Sequence, residues 1–225
     1  MTVQKSTARE YFESIVIAVV LALFVRTWVV QAFQVPTGSM ERNLLIGDHF
    51  LANKFVYAPS VTALERTLLP LGEVKRGDVL VFKFPEEPER DFVKRVIGLP
   101  GETIELRRST VVIDGEPIAE PYLDSMRPDG RIPPDIRGTF GPQVIPEGHL
   151  FMMGDNRGDS EDSRYWGPLP LEYVKGRAFV LYWSYESESE FYTDVGFGAT
   201  LRRLTSSVTH FFTRTRWNRL LRPVP

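Results

Sequence analysis

Ser39 stands in Pro36-Thr37-Gly38-Ser39-Met40, directly after a long apolar run and two residues after a second hydroxyl. Gly38 permits backbone angles and close approaches that other residues do not, so this turn can present the Ser39 hydroxyl with little shielding. Ser39 is therefore a candidate nucleophile, although Pro, Gly and Ser are also ordinary turn residues. A hydroxyl nucleophile needs a base. The three histidines, His49, His149 and His210, are far apart in the chain and none has a metal-ligand spacing, so no metal site is indicated and a Ser/His/Asp triad has no local support. The chain has no cysteine. That excludes disulfides, thiolate ligands and a thiol nucleophile, and it is compatible with an oxidising compartment.

The remaining kind of base is a lysine kept neutral by burial. Three lysines lie in apolar, strand-like runs: Lys54 between Asn53 and Phe55, Lys83 between Phe82 and Phe84, and Lys94 between Val93 and Arg95. Strand alternation puts Lys94 on one face with Phe92 and Val96, and Lys83 on one face with Val79 and Val81. Each could equally extend from its strand into water, and the pattern does not choose among them. An ordinary lysine titrates near ~10.4, so a base working near neutrality needs a depression of roughly 2 to 3 units, about 3 to 4 kcal/mol.

The elements that must position these groups fall into four parts. Residues 1–10 read as a cytoplasmic N-terminus, 11–33 as a transmembrane helix, 34–200 as a β-rich domain and 201–225 as a basic tail. Tyr11 to Phe33 is almost wholly apolar and, at ~1.5 Å per residue, long enough to cross a bilayer. Arg26 near its end can snorkel, and Trp28 suits the headgroup interface. Two other readings compete. Lys5 and Arg9 before an apolar run ending in Val30-Gln31-Ala32 resemble a cleavable signal peptide, and the same run could be a buried core helix, since it has no polar face. The basic residues at the start place the N-terminus in the cytoplasm and everything after Phe33 outside.

The chain has 225 residues, of which 43% are hydrophobic and 25% charged, enough for one domain with a core and an appendage. A disordered chain and a multi-span membrane protein are excluded. The net charge of −2 conceals an asymmetry, because no Asp or Glu follows Asp194 whereas six arginines do. Leu201, Leu204, Val208 and Phe211 recur at roughly helical spacing among those arginines, a pattern suited to an anionic membrane surface or to a solvated domain end.

Beyond the apolar run, short β-like segments alternate with turn signals and predict an antiparallel β domain. Strands are expected at His49 to Val56, Val79 to Phe84, Asp91 to Ile97 and Leu150 to Met153. Leu99-Pro100-Gly101-Glu102 suits a type II turn. Thr110 to Ile113, Asp114-Gly115 and Glu116 to Ala119 read as a hairpin with a type I′ turn. Residues 120–146, rich in Pro, Gly and charge, read as an excursion from the sheet. A loop dense in hydrogen-bonding groups, Gly154 to Gly167, follows.

Together these residues resemble the type I signal peptidases, membrane-bound serine proteases with a Ser/Lys dyad. The resemblance spans roughly Tyr11 to Ser184. It is carried by Pro36-Thr37-Gly38-Ser39-Met40, by Gly47-Asp48-His49-Phe50-Leu51-Ala52-Asn53-Lys54-Phe55, by Arg76-Gly77-Asp78-Val79-Leu80-Val81-Phe82, by Phe92-Val93-Lys94-Arg95-Val96-Ile97-Gly98-Leu99-Pro100-Gly101, and by Gly154-Asp155-Asn156-Arg157 with Ser160, Asp162, Ser163 and Arg164. It implies a mainly β fold, an antiparallel catalytic domain behind a single N-terminal transmembrane helix in the cell membrane. It implies Ser39 as nucleophile, Lys94 as general base, and Thr37 with the Ser39 N–H as oxyanion hole. Ser160 would orient the lysine, Gly154 would leave it room, and Asp162 with Arg164 would form a supporting ion pair. Phe33, Val35, Met40, Leu44, Phe50, Val81 and Val93 would line shallow pockets for alanine-sized side chains.

The implied reaction is removal of signal peptides from exported preproteins after small-x-small sites, by a monomer in a lipid bilayer, with no cofactor, metal or nucleic acid. A specialised processing peptidase with the same dyad, or an inactive membrane-anchored binding module, are the alternatives. Two departures stand out: Arg42-Asn43 replaces the usual Pro-Thr before Leu44, and Gly158-Asp159 replaces the commoner Asp-Asn pair.

Overall fold

The computed structural model describes residues 7–41, 43–54, 72–108, 110–126, 138–186 and 196–225. Lys5, Arg42, Phe55, Val56 and the middle of the 120–146 stretch lie outside these residues.

Helix α1 (Thr7–Phe24) passes into a π-helical turn, Val25–Val29, and then directly into strand β1 (Val30–Gln34). The expected helix of 11–33 is thus cut short, because Val30 to Phe33 are strand residues paired in register with β2 (Asp48–Asn53). An apolar run that feeds a half-buried strand has the same composition as the end of a membrane helix. Among the described residues, no helix is long and apolar enough to cross a membrane, and α1 carries Arg9, Glu10 and Glu13 in its first turns. Its remaining surface is apolar and uncovered, with Ile15 62%, Leu21 57% and Phe24 54% exposed.

The larger sheet runs β1-β2-β11-β3-β4-β9-β10, with β12 beside β11, and every pairing is antiparallel. Here β3 is Val79–Lys83, β4 Asp91–Gly98, β9 His149–Met153, β10 Leu169–Pro170, β11 Val174–Ser184 and β12 Arg222–Pro223. A smaller sheet has the order β7-β6-β5-β8, with β5 Thr103–Arg107, β6 Thr110–Ile113, β7 Glu116–Pro117 and β8 Thr139–Val144. The hairpin turn has positive φ at both Asp114 (50°) and Gly115 (88°), as a type I′ turn requires. Strand β8 lies within the expected excursion and pairs with β5, a pairing that Gly141 and Pro142 hide from any alternation pattern.

The basic tail is not a separate appendage. Helix α3 (Phe197–Thr209) and the short helix α4 (Phe211–Arg214) lead to β12, Val224 packs against the core, and the Tyr185 hydroxyl bonds Ser206. (Helix α2, Ser163–Trp166, belongs to the site below.) One core cluster, built around Val35, Met40, Leu44, Phe50, Val79, Val81 and Leu181, underlies the strands that carry the site.

Candidate active site

Strand β1 ends at Gln34, and the chain turns through Pro36 and Thr37 into a 3₁₀ turn, Gly38–Met40, which holds Ser39. Two backbone bonds close the loop behind it: Val35 N to Asp48 O at 2.9 Å and Gly47 N to Val35 O at 3.0 Å. Across the sheet, β4 lies between β3 and β9 and presents Lys94. Its Nζ donates to Ser39 Oγ at 2.6 Å, and both residues are buried, Lys94 at 3% exposure and Ser39 at 8%. Burial lowers the Lys94 pKa from 10.5 to about 8, opposed by the charges of Asp162, Glu161, Asp155 and Asp159. Nζ also lies 5.1 Å from the centroid of the Phe92 ring. Lys83 is exposed and Lys54 only half-buried, so packing separates three lysines that alternation leaves equivalent.

The loop Gly154–Asp162 and helix α2 form the other wall. Asp162, fully buried, caps α2 and pairs with Arg164 through two bonds, Nε to Oδ1 at 2.8 Å and Nη2 to Oδ2 at 2.9 Å. Its Oδ2 also accepts from Gly154 N (3.0 Å) and from Ser160 Oγ (2.8 Å). The Ser160 hydroxyl, expected to orient the lysine, thus donates its proton to the Asp162 carboxylate, which leaves its lone pairs as acceptors. At Gly154 a Cβ would lie 2.2 Å from Ser160 Oγ and 2.5 Å from Ser39 O, so the missing side chain makes room for those atoms beside the dyad. Asn156 closes the loop onto the nucleophile turn, N to Ser39 O at 3.0 Å and Nδ2 to Gly38 O at 3.1 Å.

Between these walls opens a cleft of about 480 Å³ that includes Ser39 and Lys94. Phe33, Phe50, Val81 and Val93 form its apolar side, Thr37 and Ser160 stand beside the dyad, and Arg90, Asp91, Asp159 and Glu161 lie along its polar side. A family model described as "Signal peptidase, peptidase S26" matches residues 8–183. The chain belongs to that family.

Among its relatives are "Signal peptidase I" of Pseudomonas aeruginosa, 35% identical over 78% of this chain and 72% of that one, and that of Bacillus licheniformis, 38% identical over 73% and 84%. "Signal peptidase I" of Aquifex aeolicus is 31% identical over 78% and 84%. The protein is a serine protease of the signal peptidase type, which cleaves signal peptides from preproteins.

Three of the expected pocket residues of the peptidase are not in the cleft. Val35, Met40 and Leu44 have no exposed surface and pack beneath its floor. The tight turn explains this: Leu44 N bonds Met40 O at 2.9 Å, which folds the chain after Ser39 back onto the sheet. Buried ion pairs also escape the sequence pattern, two of them made by residues of the Gly154–Asp162 loop. Arg95 grips Asp155 through two bonds (2.8 and 2.7 Å), and Arg157 pairs with Glu120. A signal is present, since Arg95 adjoins Lys94 and Asp155 adjoins Gly154 along the chain, but one-dimensional spacing does not show that they meet.

Proposed function

We propose that the peptidase cleaves its preproteins by acyl transfer with Ser39 as nucleophile and Lys94 as general base. The observation that carries this reading is the 2.6 Å contact between Lys94 Nζ and Ser39 Oγ in a site where the lysine is almost wholly buried. With Lys94 neutral, the same contact reverses its donor, and the lone pair of Nζ takes the hydroxyl proton as Ser39 attacks the scissile carbonyl. The Ser39 N–H and the Thr37 hydroxyl then hold the oxyanion, and Lys94 activates the water that releases the acyl group. Asp162 and Arg164 keep Ser160 and Gly154 in place around the dyad.

β1 is an edge strand of the larger sheet, open to an extended peptide between it and the Phe92–Lys94 segment. Phe33, Phe50, Val81 and Val93 leave shallow recesses there, which select small side chains before the cut. We place α1 and the π-helical turn, Thr7–Val29, in the bilayer as a single anchor of about 34 Å at ~1.5 Å per residue. From Ile15 to Val25 this segment is apolar on all sides and uncovered by its own domain, which suits lipid better than water. The N-terminus is then cytoplasmic and the domain external. Reporter fusions at each end test that orientation.

Ser39→Ala and Lys94→Ala, assayed on a preprotein with an Ala-x-Ala site, test the dyad. Both should lose cleavage while remaining folded; substantial activity in either would falsify the assignment.

A further inference from the structure

The family match ends at residue 183, yet a buried charge inside it has its counter-ion outside it. Asp48 on β2 is fully buried, and Arg219 pairs with it through Nε (3.1 Å) and Nη2 (2.5 Å). Removing one partner of such a pair leaves an uncompensated charge in the interior, so the fold is committed to Arg219. The same Nη2 donates to the main-chain oxygen of Asn43 at 2.8 Å, and Arg216 Nη1 donates to Ile46 O at 3.0 Å. Two arginines of the C-terminal segment therefore grip the loop that immediately follows the nucleophile.

From Asn43 the linkage continues to the base. Asn43 Nδ2 donates to Asp155 Oδ2 at 2.8 Å and to Tyr122 O at 2.9 Å. Asp155 holds Arg95, the neighbour of Lys94 on β4, and Arg95 Nη1 reaches the main-chain oxygens of Gly77 (2.7 Å) and Pro225 (2.8 Å). The Arg95 guanidinium also lies over the Tyr122 ring at 4.1 Å. Successive strand residues point to opposite faces, so this network lies behind the sheet while Lys94 faces the cleft.

We propose that Arg219 is a positioning residue for proteolysis: by gripping Asp48 and the Asn43 carbonyl it holds the Ser39 loop, and through Asn43 and Asp155 it holds the strand of Lys94. This also assigns a role to Asn43, which links the Ser39 loop to Asp155. It rests on the Ser39/Lys94 reading. Displacement of a reacting group by about 1 Å can cost about a hundredfold in rate, so a loosened loop affects turnover more than binding.

The test uses the full chain in detergent with a preprotein substrate. Arg219→Ala should lower kcat about tenfold or more with KM within about twofold, and guanidinium at tens of millimolar should restore much of the loss. Arg219→Lys keeps a charge beside Asp48 but, ending in a single nitrogen on a shorter side chain, does not reproduce the forked grip of Nε and Nη2 on Asp48 and the Asn43 carbonyl; it should fold and show the same loss in kcat, which keeps the test open if the alanine variant does not fold. Asn43→Ala should lower kcat similarly without rescue. Unchanged kcat in Arg219→Lys, a loss confined to KM, or a folded Arg219→Ala that guanidinium does not rescue would overturn the proposal. Ser39→Ala run in parallel separates the two readings: if it stays active the dyad fails and this role with it, whereas an inactive Ser39→Ala beside an unaffected Arg219→Lys removes only the role of Arg219.

Discussion

Replacing Lys94 with Met should abolish cleavage and at the same time make the protein more stable at neutral pH. Lys94 titrates at about 8 when folded, against 10.5 ordinarily, because burial disfavours its charged form. Between those two values the unfolded chain binds more protons than the folded one, so this group makes stability rise with pH across that window. Below pH 8 the full cost of the buried ammonium is present, about 3 kcal/mol. Met preserves much of the length without the charge, and it forfeits the hydrogen bond to Ser39, worth about 1 kcal/mol. The net gain at pH 7 is about 2 kcal/mol, or roughly 4 to 8 °C in Tm for a chain of this size.

By pH 10.5 the advantage should vanish and pass to the wild type, since only the lost hydrogen bond then remains. Thermal unfolding of the two proteins in the same mild detergent, at steps from pH 6.5 to 10.5, gives the comparison. A Met variant no more stable than wild type at pH 7, or a difference that does not change with pH, would refute the burial argument. The wild-type activity profile provides an independent check. At pH 7 about one-tenth of the lysine is neutral, so kcat/KM should rise about tenfold toward a plateau above pH ~9, with its midpoint near the pKa of Lys94.

Four further outcomes follow from the same geometry. Glu161→Gln removes a charge that favours the Lys94 ammonium, so the midpoint of the activity profile should move to lower pH by roughly 0.5 unit or less; a shift to higher pH contradicts the electrostatics. Thr37→Val should lower kcat about a hundredfold with unfolding midpoints unchanged if its hydroxyl holds the oxyanion. Leu44→Ala should cost about 2 to 5 kcal/mol in urea unfolding and leave the choice of residue before the cut unaltered, because Leu44 lies under the cleft floor. Gly154→Ala should cost about 1 to 3 kcal/mol and most of kcat, since its methyl would meet Ser160 and the Ser39 carbonyl; wild-type behaviour would mean the loop yields freely.

How far each of these features could be read from the sequence depended on whether its cause is local. The Asp114-Gly115 turn was legible because both positive φ values are preferences of the residues themselves. Lys94 could not be told from Lys83 by pattern: both share faces with apolar residues, and what distinguishes them is a loop some sixty residues later that covers one and not the other. Val35, Met40 and Leu44 were expected in the pocket on the strength of the resemblance, but whether an apolar side chain lines a cleft or lies beneath it is decided by how one tight turn folds back on the sheet. Long strand β11 escaped notice because its register shifts, near Gly176, Phe179 and Tyr182, break the period of two. The C-terminal segment was misjudged for a related reason. Arg216 and Arg219 look like surface charge in sequence, and their partners, Ile46 and Asp48, lie about 170 residues away.

Strand β1 has a further consequence for which substrates can be cut. It runs from the π-helical turn to the nucleophile turn, and all five of its residues are in register with β2. Five strand residues span about 17 Å. With the helix anchored in the bilayer as proposed, this strand sets the height of the cut above the lipid like a ruler, and a peptide bond presented higher or lower than that mark should be cut less whatever its flanking residues.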